Sequence, residues 1–269
     1  MTKVKRLERV VALALELVSR PTHLFSFGKF CEQFDVAKST LSEDVQAIKT
    51  GAALFGLGDV ETVAGAAGGV RFIPMCGKKE EQTFLAALCA RLAEPERVIP
   101  GGFLYMSDLL FEPHIVGKLG DIFRQRFVDC RPDYVLTVET KGIPLALMTA
   151  RAFDVPLVTA RRGSRVTEGS AVSINYVTGS ARRIQTMSLP KRALPAGARV
   201  LIIDDFMKAG GSAKGLCDLA REVGAEVVGT GVLIATGEPE EKMLSDYLTL
   251  LKLDALDEQR RITQIHPVG

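Results

Sequence analysis

The sequence predicts an α/β protein made of two domains. Its 269 residues allow about two domains at the usual size of roughly 100–200 residues each. In the first sixty or so positions, apolar residues recur at helical spacing and no strong strand signal is present. Beyond about residue 75, apolar strands alternate with helices, which is typical of a parallel sheet covered by helices. We therefore predict a helical domain over residues 1–74 and a parallel α/β domain over residues 75–269.

The composition is that of a globular protein of the cytoplasm. Hydrophobic residues make up 47% of the chain and charged residues 25%, which allows a substantial buried core. No apolar run reaches the roughly 18–20 residues that span a bilayer. The five cysteines are widely spread without a C-x-x-C motif, and the three histidines are scattered. We expect reduced thiols, no metal site and no action at a membrane.

The first predicted element is an amphipathic helix that ends at Pro21. One apolar face is predicted from the residues that recur at helical spacing, which are Leu7, Val10, Val11, Ala14, Leu17 and Val18.

Two further helices and a strand pair predict a winged helix-turn-helix. The second helix is expected over Ser26–Phe34, and the third begins at the capping box Thr40-Leu41-Ser42-Glu43 and ends near Gly51. Two strands, residues 60–63 and 70–74, flank a glycine-rich tip that corresponds to the wing. In a helix-turn-helix, the second helix places its N-terminal residues in the major groove of DNA.

The residues expected to contact DNA are basic and hydroxyl side chains at these positions. In the N-terminal domain they are Lys5, Arg6, Lys38, Ser39, Thr40, Ser42 and Arg71. This domain holds nine basic and eight acidic residues, so we expect it to bind DNA weakly when alone, because phosphate neutralisation supplies most non-specific affinity. The alternative is a domain that serves packing or dimerisation.

The C-terminal domain is predicted from alternating strands and helices. Helices are expected over residues 78–92, 115–127, 143–153 and 213–223, and strands over residues 134–138, 155–159, 199–203 and 227–234. In open sheets of this kind, ligands bind beyond the carboxyl ends of the strands.

One such strand end carries the strongest motif of the chain. The apolar run Arg199–Ile203 is followed by Asp204-Asp205-Phe206-Met207-Lys208-Ala209-Gly210-Gly211-Ser212 and then by a helix. The glycines allow a tight turn that presents backbone N–H groups to an anion at a helix N-terminus. Two adjacent carboxylates would repel a phosphate, but they suit sugar hydroxyls or a divalent cation. The motif therefore predicts a site for a ribose phosphate.

This motif resembles the phosphoribosyl pyrophosphate site of the phosphoribosyltransferase family. A second segment, Glu139-Thr140-Lys141-Gly142, is similar to the pyrophosphate loop of that family and lies between a predicted strand and helix. The resemblance implies a phosphoribosyltransferase-type sheet domain. It implies effector contacts from Asp204, Asp205, Phe206, Met207, Lys208, Ala209, Gly210, Gly211, Ser212, Glu139, Thr140, Lys141, Gly142 and Arg161.

A basic segment lies between the two motifs. Residues 160–193 hold seven basic residues and one acidic residue, a net charge of +6 in a chain whose net charge is +2. Strand-like stretches at residues 169–177 and 184–187 predict a hairpin that corresponds to the hood loop of phosphoribosyltransferases. The excess charge favours phosphates of a ligand, of DNA or of both. We predict DNA contacts from Arg165, Arg182 and Arg183.

Taken together, these features resemble the pur operon repressor family of Gram-positive bacteria. The family implies a homodimeric repressor of purine synthesis and transport genes that binds an operator in double-stranded DNA. It implies phosphoribosyl pyrophosphate as the effector that lowers DNA affinity. Mg²⁺ is a candidate companion of this effector, and guanosine polyphosphates are candidate competitors for the same site.

The linker Phe206-Met207-Lys208-Ala209 departs from the pattern of active transferases, which carry small or aliphatic residues and a Thr there. A bulky Phe and Met followed by a cation are expected to crowd the place of an acceptor base, so no catalytic residue is predicted. Two alternatives stay open. One is an active purine phosphoribosyltransferase with an N-terminal appendage, and the other is a nucleotide-binding module whose N-terminal part makes only protein contacts.

Overall fold

The computed structural model describes residues 4–65, 67–163, 169–178 and 183–268. The chain divides into two compact units, Met1–Gly77 with Arg151–Asp154, and Lys78–Ala150 with Val155–Gly269. Among the helices described, none is long and apolar enough to span a membrane.

The described part of the N-terminal unit contains three helices and a small antiparallel sheet. Its elements are α1 (Arg6–Ser19), β1 (Phe25–Ser26), α2 (Phe27–Phe34), α3 (Lys38–Leu54), β2 (Gly58–Val63) and β3 (Gly69–Pro74). Strands β2 and β3 form a hairpin, and β1 pairs with the other edge of β3. The predicted helix-turn-helix and wing are therefore present.

The core of this unit lies between the helices and the hairpin. Helix α2 buries Phe27, Phe30 and Phe34 against Leu41 of α3 and Val70 of β3. Ser26 caps α2, because its side-chain oxygen accepts the N–H of Lys29 at 3.2 Å.

The apolar face predicted for α1 is confirmed at Leu17 and is otherwise wrong. The buried face consists of Arg9, Leu13 and Leu17, whereas Leu7 and Val11 are 79% and 53% exposed. Apolar residues occur on both sides of this helix, so spacing alone does not identify the buried side. The side of α1 that faces the core is set by a contact with another helix, because the Arg9 guanidinium pairs with the fully buried carboxylate of Asp44 in α3.

The predicted capping box of α3 is also wrong. The helix begins at Lys38, and the N–H of Leu41 donates to the carbonyl of Ala37 at 3.1 Å, so Thr40 already lies within the first turn. No side chain caps this end. Gly51 lies inside the helix rather than beyond it, since α3 continues to Leu54.

The C-terminal unit is an α/β sheet domain with a separate hairpin. Its elements are α4 (Lys78–Leu92), β4 (Val98–Ile99), β5 (Phe103–Leu104), α5 (Ser107–Leu110), α6 (Pro113–Arg126), β6 (Tyr134–Val138), α7 (Ile143–Phe153), β7 (Leu157–Ala160), β8 (Ala171–Val177), β9 (Ile184–Pro190), β10 (Arg199–Met207), α8 (Gly211–Glu222), β11 (Glu226–Thr236), β12 (Leu248–Asp257) and β13 (Ile262–Pro267).

Six of these strands form the main sheet in the order β13-β12-β11-β10-β6-β7. All neighbouring pairs are parallel except β12 and β13, which are antiparallel. The predicted parallel sheet is confirmed. Strands β12 and β13 were not predicted, although β12 buries Leu251 and Leu253 on either side of the exposed Lys252.

The predicted basic hairpin is present as the antiparallel pair β8 and β9. Helix α8 packs between this hairpin and the sheet, because its Leu216 and Leu219 share one core cluster with Tyr176 of β8, Met187 of β9 and Ile202 of β10.

Candidate functional site

The two predicted ligand motifs lie at the same edge of the sheet. Strands β6 and β10 are parallel neighbours, with Leu136 paired to Ile202, so their carboxyl ends lie side by side. The segment Glu139–Gly142 follows β6. Strand β10 runs through both carboxylates to Met207, four residues beyond the predicted end. A Cβ built at Gly142 would lie 2.8 Å from Asp204 Oδ1, which shows that the two motifs are in contact.

The glycine-rich end of the second motif forms the N-terminus of α8. Gly210 is the N-cap residue and has a φ of 83°, a left-handed conformation that favours glycine. The first-turn N–H groups, from Gly211 onward, have no acceptor within the helix. The loop that precedes α8 is fixed by a backbone hydrogen bond, in which the N–H of Met243 donates to the carbonyl of Ala209 at 2.8 Å. This end of α8 therefore presents fixed donors to an anion.

The two carboxylates differ in their surroundings. Asp204 is only 5% exposed, and its Oδ1 accepts the N–H of Asp205 at 2.9 Å. Burial, followed by the neighbouring charge of Asp205, raises the pKa of Asp204 well above its usual value, and the Arg162 guanidinium acts in the opposite direction. Asp205 is half-buried. The two acids are thus not equivalent: Asp205 is open to a ligand, and Asp204 lies beneath the Glu139–Gly142 loop.

The Glu139–Gly142 loop is joined to the start of the basic segment. The Glu139 carboxylate accepts the N–H of Arg162 at 2.7 Å and lies 3.9 Å from the Arg161 guanidinium. Thr140 and Lys141 are exposed. Arg162 was not among the predicted site residues, although its position next to Arg161 in the basic segment was a usable signal.

The linker residues do not all face a ligand. Met207 is buried against Ala213 and Val232. The expectation that its side chain crowds an acceptor base is therefore wrong, because this side chain is part of the core beneath α8. Phe206 is half-buried and Lys208 is exposed.

The basic hairpin is described only in part. Arg183 is exposed and adjoins β9, and its N–H donates to the hydroxyl of Thr178 at 3.2 Å. Arg165 and Arg182, which were predicted to contact DNA, lie outside the described residues.

In the N-terminal unit, four of the predicted DNA contacts lie together on the first turns of α3. Lys38, Ser39 and Ser42 are exposed, and Thr40 is half-buried. The Ser42 hydroxyl donates to the carbonyl of Lys38 at 2.9 Å, and the Lys38 ammonium lies 5.5 Å from the ring centroid of Phe27. They are placed on the second helix of the helix-turn-helix, as the prediction requires.

Two of the three remaining predicted DNA contacts of this unit form ion pairs within it. Arg71 pairs with Glu61 across the wing at 2.7 Å, and Arg6 pairs with Asp44 at 3.3 Å. Lys5 precedes α1, and its N–H donates to the carboxylate of Glu8.

A winged-helix unit joined in one chain to a sheet domain of the phosphoribosyltransferase type defines a DNA-binding regulator. Residues 5–74 match the family model described as "Bacterial purine repressor, N-terminal", and residues 107–267 match "Phosphoribosyl transferase domain". The chain belongs to the family of bacterial purine biosynthesis regulators.

Relatives that align over nearly the whole chain support this family membership. The chain is 44% identical over 263 residues to the purine biosynthesis transcriptional repressor PurR of Bacillus subtilis (strain 168), covering 98% of this chain and 92% of the relative. It is 37% identical over 254 residues to the purine biosynthesis transcriptional activator PurR of Lactococcus lactis subsp. lactis (strain IL1403), covering 94% of each. The predicted family is therefore confirmed.

Enzymes resemble the C-terminal domain alone. A xanthine phosphoribosyltransferase of Lactobacillus delbrueckii subsp. bulgaricus is 36% identical over 148 residues, which is 54% of this chain and 78% of that protein. Among solved structures, adenine phosphoribosyltransferase from Rhodothermus marinus aligns with a TM-score of 0.54 at 24% identity, over 64% of this chain and 99% of that one. The predicted sheet fold is confirmed by this likeness.

Proposed function

We propose that this protein represses purine synthesis and transport genes in the cytoplasm, and that phosphoribosyl pyrophosphate lowers its affinity for operator DNA. The observation that supports this proposal best is the meeting of the Glu139–Gly142 loop with Asp204 at one sheet edge, in a chain that also carries a winged helix. Relatives named as a repressor and as an activator both align over nearly the whole chain. Repression, as opposed to activation, is therefore part of the proposal.

The proposed effector matches the chemistry of this edge. Gly210, Gly211 and Ser212 would hold the 5-phosphate at the N-terminus of α8, and Asp205 would accept hydrogen bonds from the ribose. The exposed Lys141 and the backbone of its loop would meet the pyrophosphate. Guanosine polyphosphates carry the same groups and would compete for the site.

Mg²⁺ fits this proposal as a companion of the effector. Within the described ranges, no three His, Cys, Asp or Glu side chains are grouped to hold a metal ion. Mg²⁺ prefers oxygen ligands and is commonly held by one or two carboxylates together with phosphates of the substrate. Asp205 is the half-buried carboxylate that would contribute here.

The antagonism between effector and DNA follows from charge. The basic segment holds an excess of six positive charges, and Arg161 and Arg162 lie against the Glu139–Gly142 loop. A polyphosphate bound there would neutralise charge that could otherwise meet DNA phosphates. Linkage then requires DNA to weaken effector binding by the same factor.

We propose that the protein binds phosphoribosyl pyrophosphate without transferring it. The exposed Lys208 and the half-buried Phe206 occupy the linker that is small or aliphatic in active transferases. The competing function is purine phosphoribosyl transfer, which the similarity to a xanthine phosphoribosyltransferase supports. Incubation with each purine base, Mg²⁺ and phosphoribosyl pyrophosphate should release no pyrophosphate. Release that depends on one base would establish the enzyme instead.

We propose a homodimer that uses the outer face of α1. Its exposed apolar side chains Leu7, Val11, Leu15 and Val18 follow one another at helical spacing, and Leu15 is 67% exposed. A second copy of the same helix would cover this face by a twofold contact. Light scattering should give a dimer mass for the unsubstituted chain and a lower mass for Leu15→Glu, with Glu32→Gln as a surface control. A dimer mass for Leu15→Glu would exclude this face as the contact.

The proposed function is tested by a mobility shift on purine promoter DNA. The protein should retard the fragment, and phosphoribosyl pyrophosphate should release it, whereas ribose 5-phosphate should have less effect. Protein that never retards promoter DNA would support the nucleotide-binding module with only protein contacts.

A further inference from the structure

Thr137, the fourth residue of β6, is a buried polar side chain that is unpaired within the described part of the chain. It is 0% exposed, and its Oγ1 has no hydrogen-bond partner among the described residues. A buried hydroxyl without a partner disfavours the folded state, and Val would fill nearly the same volume without that cost. Packing of the strand therefore does not explain a threonine at this position.

The hydroxyl points to the base of the candidate effector site. A Cβ built at Gly142 would lie 2.8 Å from Thr137 Oγ1 and equally 2.8 Å from Asp204 Oδ1. The two oxygens therefore converge on one point and lie no farther apart than twice this distance. Thr137, Gly142 and Asp204 thus join β6, the loop that follows it and β10.

Asp204 needs donors at this place. A carboxylate offers about four acceptor positions, and the hydrogen bonds described for this side chain both involve Asp205, through its N–H at 2.9 Å and through its side chain. Water has little access, because Asp204 is 5% exposed. A threonine hydroxyl can rotate to donate, and valine cannot.

We propose that Thr137 is a positioning residue for effector binding. In the effector-bound protein its hydroxyl donates to the Asp204 carboxylate and fixes the orientation in which this acid and Asp205 accept the ribose hydroxyls. Thr137 does not touch the effector itself. This inference rests on the proposed effector function, and it explains why a hydroxyl is present where an apolar side chain would pack as well.

The test compares substitutions that separate the hydroxyl from the packing. Thr137→Val keeps the volume and removes the hydroxyl, whereas Thr137→Ser keeps the hydroxyl and removes a buried methyl. Thr149→Val is the matched control, because Thr149 is equally buried and its hydroxyl already donates to the carbonyl of Leu145 within α7 at 3.0 Å. For each full-chain protein, calorimetric titration with phosphoribosyl pyrophosphate and Mg²⁺ gives the effector affinity, and thermal unfolding gives the melting temperature.

Affinity and stability should rank the variants in opposite orders. Thr137→Val should melt at or above the temperature of the unsubstituted chain and bind about tenfold or more weakly, as expected for the loss of a hydrogen bond to a charged group. Thr137→Ser should melt lower and bind within about twofold of the unsubstituted chain, and Thr149→Val should also bind within about twofold.

Each contrary result has a distinct meaning. Unchanged affinity in Thr137→Val, equal weakening in Thr137→Ser or Thr149→Val, or a Thr137→Val chain that does not fold would overturn the role of Thr137 and leave the effector function intact. No binding by any of the proteins, the unsubstituted chain included, would overturn the proposed effector and the role of Thr137 with it.

Discussion

The N-terminal ends of α3 and α8 are both proposed to meet phosphate groups, yet they are built differently. At α8 the backbone is fixed by Gly210 in a left-handed conformation, and the site is closed by the buried Gly142 and Asp204. At α3 no side chain caps the helix, and the outward residues Lys38, Ser39 and Ser42 are exposed. The proposed phosphate site at α8 depends on buried, closely packed backbone and side chains. The site at α3 depends on exposed side chains that can be replaced one at a time.

This difference predicts that substitutions at the ligand edge strongly weaken effector binding, and that substitutions on α3 weaken DNA binding slightly and in a salt-dependent way.

Gly142→Ala should have the largest effect. Its Cβ would overlap Asp204 Oδ1 and Thr137 Oγ1 at 2.8 Å, and such overpacking costs about 1–3 kcal/mol. Calorimetry should show effector affinity reduced by up to about a hundredfold.

Gly117→Ala is the matched control for that substitution. Gly117 lies within α6, and a Cβ there would have no neighbour within 4 Å. Alanine in a helix interior is favoured over glycine by about 0.5–1 kcal/mol, so this variant should gain stability and keep its effector affinity. If both alanine variants bound the effector normally, close packing would not define the ligand edge.

Asp205→Asn should have the next largest effect. The change removes the half-buried negative charge proposed to accept ribose hydroxyls, and hydrogen bonds to charged groups contribute about 1.5–3 kcal/mol. Effector affinity should fall about tenfold or more, while DNA binding in the absence of effector should stay as it was. A parallel loss of DNA affinity would mean that this acid supports the fold rather than the ligand.

Lys38→Gln should have a moderate effect on DNA alone. Lys38 is exposed at the first turn of α3, and loss of one phosphate contact should weaken all DNA sequences alike and lower the salt slope by about one. Fluorescence anisotropy at several salt concentrations measures this slope. A slope equal to that of the unsubstituted protein would remove Lys38 from the DNA surface.

Arg71→Gln should have the smallest effect. Its guanidinium pairs with Glu61 at 2.7 Å, so the charge is already partly neutralised within the wing. In the same anisotropy series it should change DNA affinity less than Lys38→Gln does. The opposite order would show that the wing contributes more to binding than α3.

The same contrast explains how far the sequence could predict the molecule. The strand β6 and the helices α4 and α7 begin and end where predicted, because their apolar patterns are local and bounded by turn residues. The two ligand motifs were recognisable because strand ends, adjacent acids and paired glycines are contiguous in the chain.

The predictions from the sequence were wrong where residues far apart in the chain determine which side chains are buried. The buried side of α1 depends on the pairing of Arg9 with Asp44, 35 positions away. The burial of Met207 depends on α8 and β11. Thr137 was missed because its meaning appears only when β6, β10 and Gly142 are brought together.

Effector and operator are proposed to compete through this ligand edge. Titration of purine operator DNA with and without phosphoribosyl pyrophosphate, at several salt concentrations, tests it most directly. The effector should lower operator affinity, operator DNA should lower effector affinity by the same factor, and Gly142→Ala should raise the effector concentration needed for release by the factor by which it weakens effector binding. Equal operator affinity with and without the effector at every salt concentration would contradict the account.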